Sequence, residues 1–328
     1  MNIAITGITG LLGANLASAL IEEGHHVRGT YRASSRRSHL AHLPIEWVKA
    51  DVRDETSLAR VFSDIDAVFH CAAEVRIVKR ISPRMFETNV AGTRNTIRAA
   101  MAAGVQRLVH CSSSAACALS EDGTPVDESM PWNMHCYDLD DAYTLTKRHA
   151  EEIALEYSKS FDIVVVNPTY MFGPMDIRPS SGSLLLELAQ GKIPGVPRGI
   201  NNFADARDVA RGMISALEKG KRGRRYILGG ENLTYGELFE RAASIAGVRP
   251  PRIPLPGGLA RGVGRLGNVR EWVEGRESPI NEAKVRWALT RRFILSHRRA
   301  ARELDYEAGS IDHAIRDAYR WFRERGML

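Results

Sequence analysis

The chain has 328 residues, of which 44% are hydrophobic and 26% charged, with a formal net charge of +6. That composition excludes a disordered or fibrous chain, and with no run of 18 or more apolar residues a membrane-spanning helix is not expected. The charge is uneven: residues 249–302 carry 13 Lys/Arg against 4 Asp/Glu, a local balance of +9. This stretch reads as a solvated basic face, or as a surface drawn to an acidic substrate or weakly to an anionic membrane. No nucleic-acid-binding motif accompanies it.

Residues 2–6 read as a short buried strand. MNIAITG lacks the basic and long apolar regions of a secretion signal. The turn Thr6-Gly7-Ile8-Thr9-Gly10-Leu11-Leu12-Gly13 follows, and an apolar-periodic helix runs on through Leu16, Ala19 and Leu20 to Gly24. A glycine turn between a strand and a helix lets backbone approach a pyrophosphate seated at the helix N-terminus. Gly7, Thr9, Gly10, Leu11, Leu12 and Gly13 are therefore the expected dinucleotide contacts. A second strand is expected at 26–31. Its end, Gly29-Thr30-Tyr31-Arg32-Ala33-Ser34-Ser35-Arg36-Arg37, holds three arginines and no acid. An acid there would grip a ribose 2′-hydroxyl, whereas guanidinium suits a 2′-phosphate. NADP(H) is the preferred cofactor, with Arg32 on the phosphate helped by Ser34 or Arg36, and NAD(H) is the alternative.

Further strands are expected at 45–49, 67–70, 107–111 and 163–166. Ser82-Pro83 opens a helix that runs to Gly104, and a long helix spans 141–160. Short continuous apolar strands alternating with helices predict an α/β, doubly wound parallel sheet of the Rossmann kind. After Asn167-Pro168, Gly, Pro and Ser thicken; 203–228 returns to helix and strand, and the rest is mostly helical. This divides the chain into a dinucleotide-binding domain, 1–167 with 203–228, and a smaller, mostly helical substrate lobe, 168–202 with 229–328. Cys71, Cys111, Cys117 and Cys136 form neither a C-x-x-C pair nor a zinc spacing. No metal is expected, and the thiols are read as reduced in a cytoplasmic protein.

Of nine tyrosines, only Tyr143 has a lysine four residues on, Lys147. At that spacing on a helix the two side chains share a face. The ammonium is expected to favour the phenolate and lower the phenol from its ordinary value of about 10. Such a tyrosine can exchange a proton with a carbinol oxygen near neutral pH.

With these landmarks the chain resembles the extended short-chain dehydrogenase/reductases over essentially its whole length. TGITGLLG, DVRD at 51–54, FHCAAE at 69–74, NVAGTRN at 89–95, CSSSA at 111–115, YTLTK and NPTYMFGP at 167–174 occur in that family's order. The resemblance implies Asp51 and Val52 near the adenine, and Ala72, Ala73 and Cys111 along the cofactor. It puts Asn89 toward the nicotinamide end, and Pro168, Tyr170 and Met171 by the carboxamide. Lys147 would also hold the nicotinamide ribose. Ser113 would hold a carbonyl oxygen beside Tyr143, with Ser112 and Ser114 as adjacent rivals. Glu74, Arg76, Ala115 and Tyr170 would face the substrate.

The dihydroflavonol reductase-like branch is the most similar, with likeness also to hopanoid-associated sugar epimerases. There are two departures. Asn201 stands where nucleotide-sugar enzymes carry a phosphate-gripping arginine, for which Arg178 or Arg198 are possible substitutes. Asn167-Pro168 replaces the family's usual Arg-Pro. The function expected is NADP(H)-dependent reduction of a small-molecule ketone or aldehyde. The alternative is a sugar epimerase or dehydratase that retains its cofactor. A non-enzymatic dinucleotide sensor is a third class, and it would have no need of Ser113, Tyr143 and Lys147 together. A homodimer through the helices at 83–103 and 141–160 is implied by resemblance.

Overall fold

Apolar strands with no polar face need cover on both sides, and the architecture supplies it. The computed structural model describes residues 1–274 and 277–328. In chain order the elements begin with β1 (Asn2–Thr6), α1 (Leu11–Glu22), β2 (His26–Tyr31), β3 (Glu46–Lys49), α2 (Glu55–Phe62) and β4 (Ala67–His70). Next come α3 (Pro83–Phe86), α4 (Gly92–Ala102), β5 (Arg107–Cys111), α5 (Ala142–Tyr157), β6 (Ile163–Pro168), β7 (Tyr170–Phe172) and α6 (Gly182–Ala189). The remainder is β8 (Ile200–Asp205), α7 (Ala206–Lys219), β9 (Arg225–Leu228), β10 (Glu231–Thr234), α8 (Tyr235–Ala246), α9 (Gly257–Glu274), α10 (Glu282–Leu289), α11 (Arg298–Leu304) and α12 (Ile311–Glu324).

Seven strands form one sheet in the order β3-β2-β1-β4-β5-β6-β9, and every pairing is parallel. The chain reverses its direction of travel across the sheet between β1 and β4. That switch opens a crevice at the carboxyl ends of the two strands, where open α/β sheets bind ligands. One face is buried by Leu16 and Leu20 of α1, Val209 and Met213 of α7, and Ala300 and Leu304 of α11. The other is buried by Leu58 and Phe62 of α2, Ile97 of α4 and Ala154 of α5. Tyr306, just after α11, joins the first of these cores.

The helical lobe also carries a small sheet, in the order β10-β8-β7. Its strands are three to six residues long, and Asn201-Asn202 and Glu231-Asn232 give them a loop-like composition. Pairing of Phe203 with Tyr170 and with Glu231 creates them, which no local pattern announces. An aromatic core seals this sheet against α6, α8 and α12, through Phe172, Phe203, Tyr235, Phe239, Tyr319 and Phe322. The expected single helix from Pro83 is also modified: a π turn, Glu87–Ala91, separates α3 from α4. No described helix is long and apolar enough to cross a membrane.

Candidate active site

The glycine turn is built by close approach. Gly7 has φ +74°, and a Cβ there would lie 2.6 Å from the Ala72 backbone nitrogen. A Cβ on Gly13 would lie 2.5 Å from the Gly7 carbonyl oxygen. Gly10 is the N-cap of α1, which has no side-chain cap and no acid in its first turn. The first backbone N–H groups are thus left to an anion, and the turn fits the pyrophosphate of a dinucleotide. Thr9 is half-buried on the turn, and Leu11 and Leu12 are buried behind it.

Beyond β2 the three arginines part company. The Arg37 guanidinium stacks 4.0 Å over Tyr31 and 5.1 Å from the Trp47 ring. The Arg32 N–H donates to Ser35 Oγ (3.0 Å), and the Arg32 carbonyl accepts from the Ser35 N–H (2.8 Å). Neither Arg32 nor Arg36 is ion-paired among the described residues. Asp51 is clamped by Arg53, at 2.8 Å for the shortest contact, which holds its carboxyl below the usual range. Val52 is buried, and its carbonyl accepts from Asn95 Nδ2 at 3.0 Å. Arg178 reaches across to donate to the Ser34 carbonyl.

Asp141 starts the helix that carries the catalytic candidates. Its Oδ1 accepts the N–H groups of Tyr143 (2.9 Å) and Thr144 (3.2 Å). Its Oδ2 accepts from Trp287 Nε1 at 2.7 Å, so the C-terminal segment braces this cap. One turn along α5 from Tyr143, the buried Lys147 donates to the Cys111 carbonyl at 2.7 Å, at the end of β5. Ser113 follows in extended conformation (φ −158°, ψ 154°), and its Oγ accepts the Ala115 N–H at 3.2 Å. The Ser113 side chain also acts on the Tyr143 phenol, pulling it down. Ser112 is buried with its Oγ unpartnered among the described residues, and Ser114 begins a short 3-10 turn.

The acidity of Tyr143 departs from the expectation. Burial pushes the phenol up to about 12, against the pull of Ser113. The Lys147 ammonium donates to the Cys111 carbonyl. Lys147 itself is lowered by burial, opposed by the nearby Cys111 and Glu151.

Three positioning groups were not read from the sequence. Asn167 Nδ2 donates to the Ser113 carbonyl (3.0 Å) and to Glu151 Oε2 (2.6 Å). Glu151 is fully buried and also faces Arg225 at 3.3 Å. The unusual Asn-Pro pair was the one available signal of this role. His70 bridges Thr6 Oγ1 (2.7 Å) and Thr93 Oγ1 (3.0 Å), and burial lowers it to about 3. Trp287 acts through the Asp141 cap.

Other expected residues sit differently. Asn89 lies in the π turn and holds the loop after β4: its Oδ1 accepts the Glu74 N–H (2.7 Å), and its Nδ2 donates to the Glu74 carbonyl (3.0 Å). Ala72 and Ala73 are half-buried on that loop, Cys111 is half-buried, and Pro168 is buried at the end of β6. Tyr170 turns into the lobe core against Phe172 and Phe203, and its hydroxyl donates to the Ser181 carbonyl at 3.4 Å. Met171, half-buried, packs on the large-sheet core. Arg76 is held between Glu74 (3.8 Å) and Glu277 (3.4 Å), and Glu74 also pairs with Arg84 (3.2 Å). Ala115 is buried, and its carbonyl accepts from Trp132 Nε1 at 3.4 Å. Asn201 is buried, with its Nδ2 3.4 Å from the Tyr235 hydroxyl, and Arg198 is exposed.

Residues 3–229 match the sequence pattern of the NAD dependent epimerase/dehydratase family. Sterol demethylase protein B of Methylococcus capsulatus is 33% identical over 334 residues, spanning the whole of both chains. A Synechocystis protein provisionally designated dihydroflavonol 4-reductase is 34% identical, covering 99% of this chain and 95% of its own. Among solved structures, a nucleoside-diphosphate-sugar epimerase from Pseudomonas aeruginosa superposes with a TM-score of 0.83. It is 27% identical, with 100% of this chain and 99% of that one covered.

Proposed function

The chain belongs to the NAD dependent epimerase/dehydratase family, oxidoreductase-type enzymes that bind a nicotinamide cofactor, and we propose that it is an NADP(H)-dependent reductase of a ketone or aldehyde. The observation that carries this reading is the burial of Asn201 against Tyr235. A neutral amide enclosed in the lobe core offers no grip to a sugar-nucleotide phosphate. Arg178, a candidate replacement, is engaged at Ser34 beside the cofactor loop. Arg32 and Arg36 are the groups assigned to a 2′-phosphate.

The hydride would come from a nicotinamide cofactor held at the glycine turn of residues 7–13. Ser113 Oγ donates a hydrogen bond to the substrate carbonyl oxygen and orients it toward the phenol. Tyr143 keeps its proton through the neutral range and passes it to that oxygen as negative charge develops there. Lys147 is positioned from the end of β5 to hold the ribose. Asn167 fixes the Ser113 backbone, and Asp141 fixes the start of α5. Residues 1–167 and 203–228 are assigned to the cofactor, and 168–202 and 229–328 to the substrate, with 298–306 packed back beneath the large sheet. A homodimer through α4 and α5 is part of the proposal, and sedimentation of the purified protein checks it.

The second reading, a sugar epimerase that keeps its cofactor, is favoured by the Pseudomonas relative. The fate of the cofactor separates the two. Purified protein should carry little bound NAD, exchange NADPH freely and oxidise NADPH with some member of a carbonyl panel. A ligand at a hundredfold excess over its dissociation constant stabilises by about 2.7 kcal/mol, which a melting curve reads easily. Near-stoichiometric NAD in the purified protein, with a thermal shift from a UDP- or dTDP-sugar, would overturn the reductase reading.

A further inference from the structure

Helix α9 turns its small residues inward and its large apolar residues outward. Ala260 and Gly264 are buried, and a Cβ on Gly267 would lie 1.8 Å from the Ile280 carbonyl oxygen. Glycines therefore let the helix lie directly on the backbone that leads into α10. Polar contacts fix it there: Asn268 Oδ1 accepts the Glu282 N–H (3.2 Å), and Glu271 Oε1 accepts from the Ser278 N–H (2.9 Å) and Asn281 Nδ2 (2.7 Å).

The opposite face is left open. Leu259, Leu266 and Val273 recur at intervals of seven and are 65%, 71% and 70% exposed. Val263 and Val269 widen the stripe, and Trp272 is 83% exposed. Arg261, Arg265 and Arg270 are exposed among them. The one exposed acid of the helix, Glu274, is paired with Arg270 at 2.8 Å. Single exposed leucines are ordinary, but a continuous apolar stripe set with arginines and a tryptophan has the composition of a helix lying in a membrane interface.

We propose that α9 docks the protein on an anionic bilayer surface, with the Leu259–Leu266–Val273 stripe at the headgroup boundary and its arginines at lipid phosphates. Charge complementarity selects this occupant. A two-fold pairing of copies through α9 would set the basic 249–302 segment against itself, whereas an anionic surface is attracted to it. The segment after α9 reaches the loop after β4: Glu277 pairs with Arg76, and Asn281, held by Glu271 of the helix, donates through Nδ2 to the Ile77 carbonyl at 2.6 Å.

The test uses the full chain with vesicles of phosphatidylglycerol and phosphatidylcholine, and with phosphatidylcholine alone. The protein should sediment with the anionic vesicles and be released by high salt. Its tryptophan emission should shift to the blue on binding. Trp272→Phe should keep much of the binding and lose most of the shift. Leu266→Glu should weaken binding at least tenfold with an unchanged melting temperature, because the side chain has little to lose from the folded core. Failure to sediment with anionic vesicles, equal binding to phosphatidylcholine alone, or undiminished binding by Leu266→Glu would each overturn the proposal. So would a protein that ignores vesicles but self-associates until Leu266→Glu separates the copies.

Discussion

Burial raises the Tyr143 phenol, and this gives the pH profile a direction. A phenol held near 12 keeps its proton, so kcat/KM for carbonyl reduction should stay level up to about pH 9. A fall beginning near neutrality would show that another group is the donor. Tyr143→Phe should lower turnover at least about a hundredfold while NADPH still binds, as a fluorescence titration would read. Asn167 holds Ser113 from 54 residues away. Asn167→Ala should reduce kcat more than it raises KM. It should also cost about 1–3 kcal/mol of stability, because Glu151 loses a buried donor. Equal melting temperatures for variant and parent would contradict that account. Arg32→Glu should weaken NADPH far more than NADH, and equal weakening in parallel titrations would remove Arg32 from the 2′-phosphate.

At the level of elements, the strand–turn–helix that begins the chain tolerates no added atoms. Gly13→Ala would press a methyl against the Gly7 carbonyl, so the turn must open. The variant should melt lower and lose NADPH affinity, whereas Gly262→Ala, inside α9 where a Cβ meets nothing within 4 Å, should keep NADPH affinity and melt no lower. That turn was legible because strand, glycines and helix are contiguous, and Tyr143 with Lys147 because one helical turn joins them. The small sheet was not, because β7 and β10 are ordered by Phe203 and not by their own composition. The π turn at Glu87–Ala91 was hidden because its sequence reads as ordinary helix; it shows only where Asn89 meets Glu74 and Thr146. For Tyr170 the motif gives its place in the chain, and the aromatic core decides where its ring points.

For the whole molecule, a buried histidine contributes to the response to acid. His39 is buried with neither ring nitrogen bonded among the described residues, and burial lowers it from 6.5 to about 4. The unfolded chain takes up that proton first, so the contribution is intact above pH 6.5 and is lost as pH falls toward 4. Each such group loses about 1.4 kcal/mol per pH unit in that window. His39→Leu should therefore gain on the parent as pH falls from 6.5, in denaturant unfolding at matched pH; a constant difference would refute the buried neutral histidine. The way the chain weaves between its two cores has a consequence for biosynthesis. It leaves the large sheet after β6, returns for α7 and β9, leaves again at β10, returns for α11 and ends in the lobe with α12. A ribosome releases these pieces in order. The large sheet stays one edge strand short until residue 228 has emerged, while Phe172 and Leu185 wait for Tyr319 and Phe322 much further along the chain. Neither core is complete until residues beyond 300 have been made, so the nascent protein spends much of its synthesis with an open aromatic core.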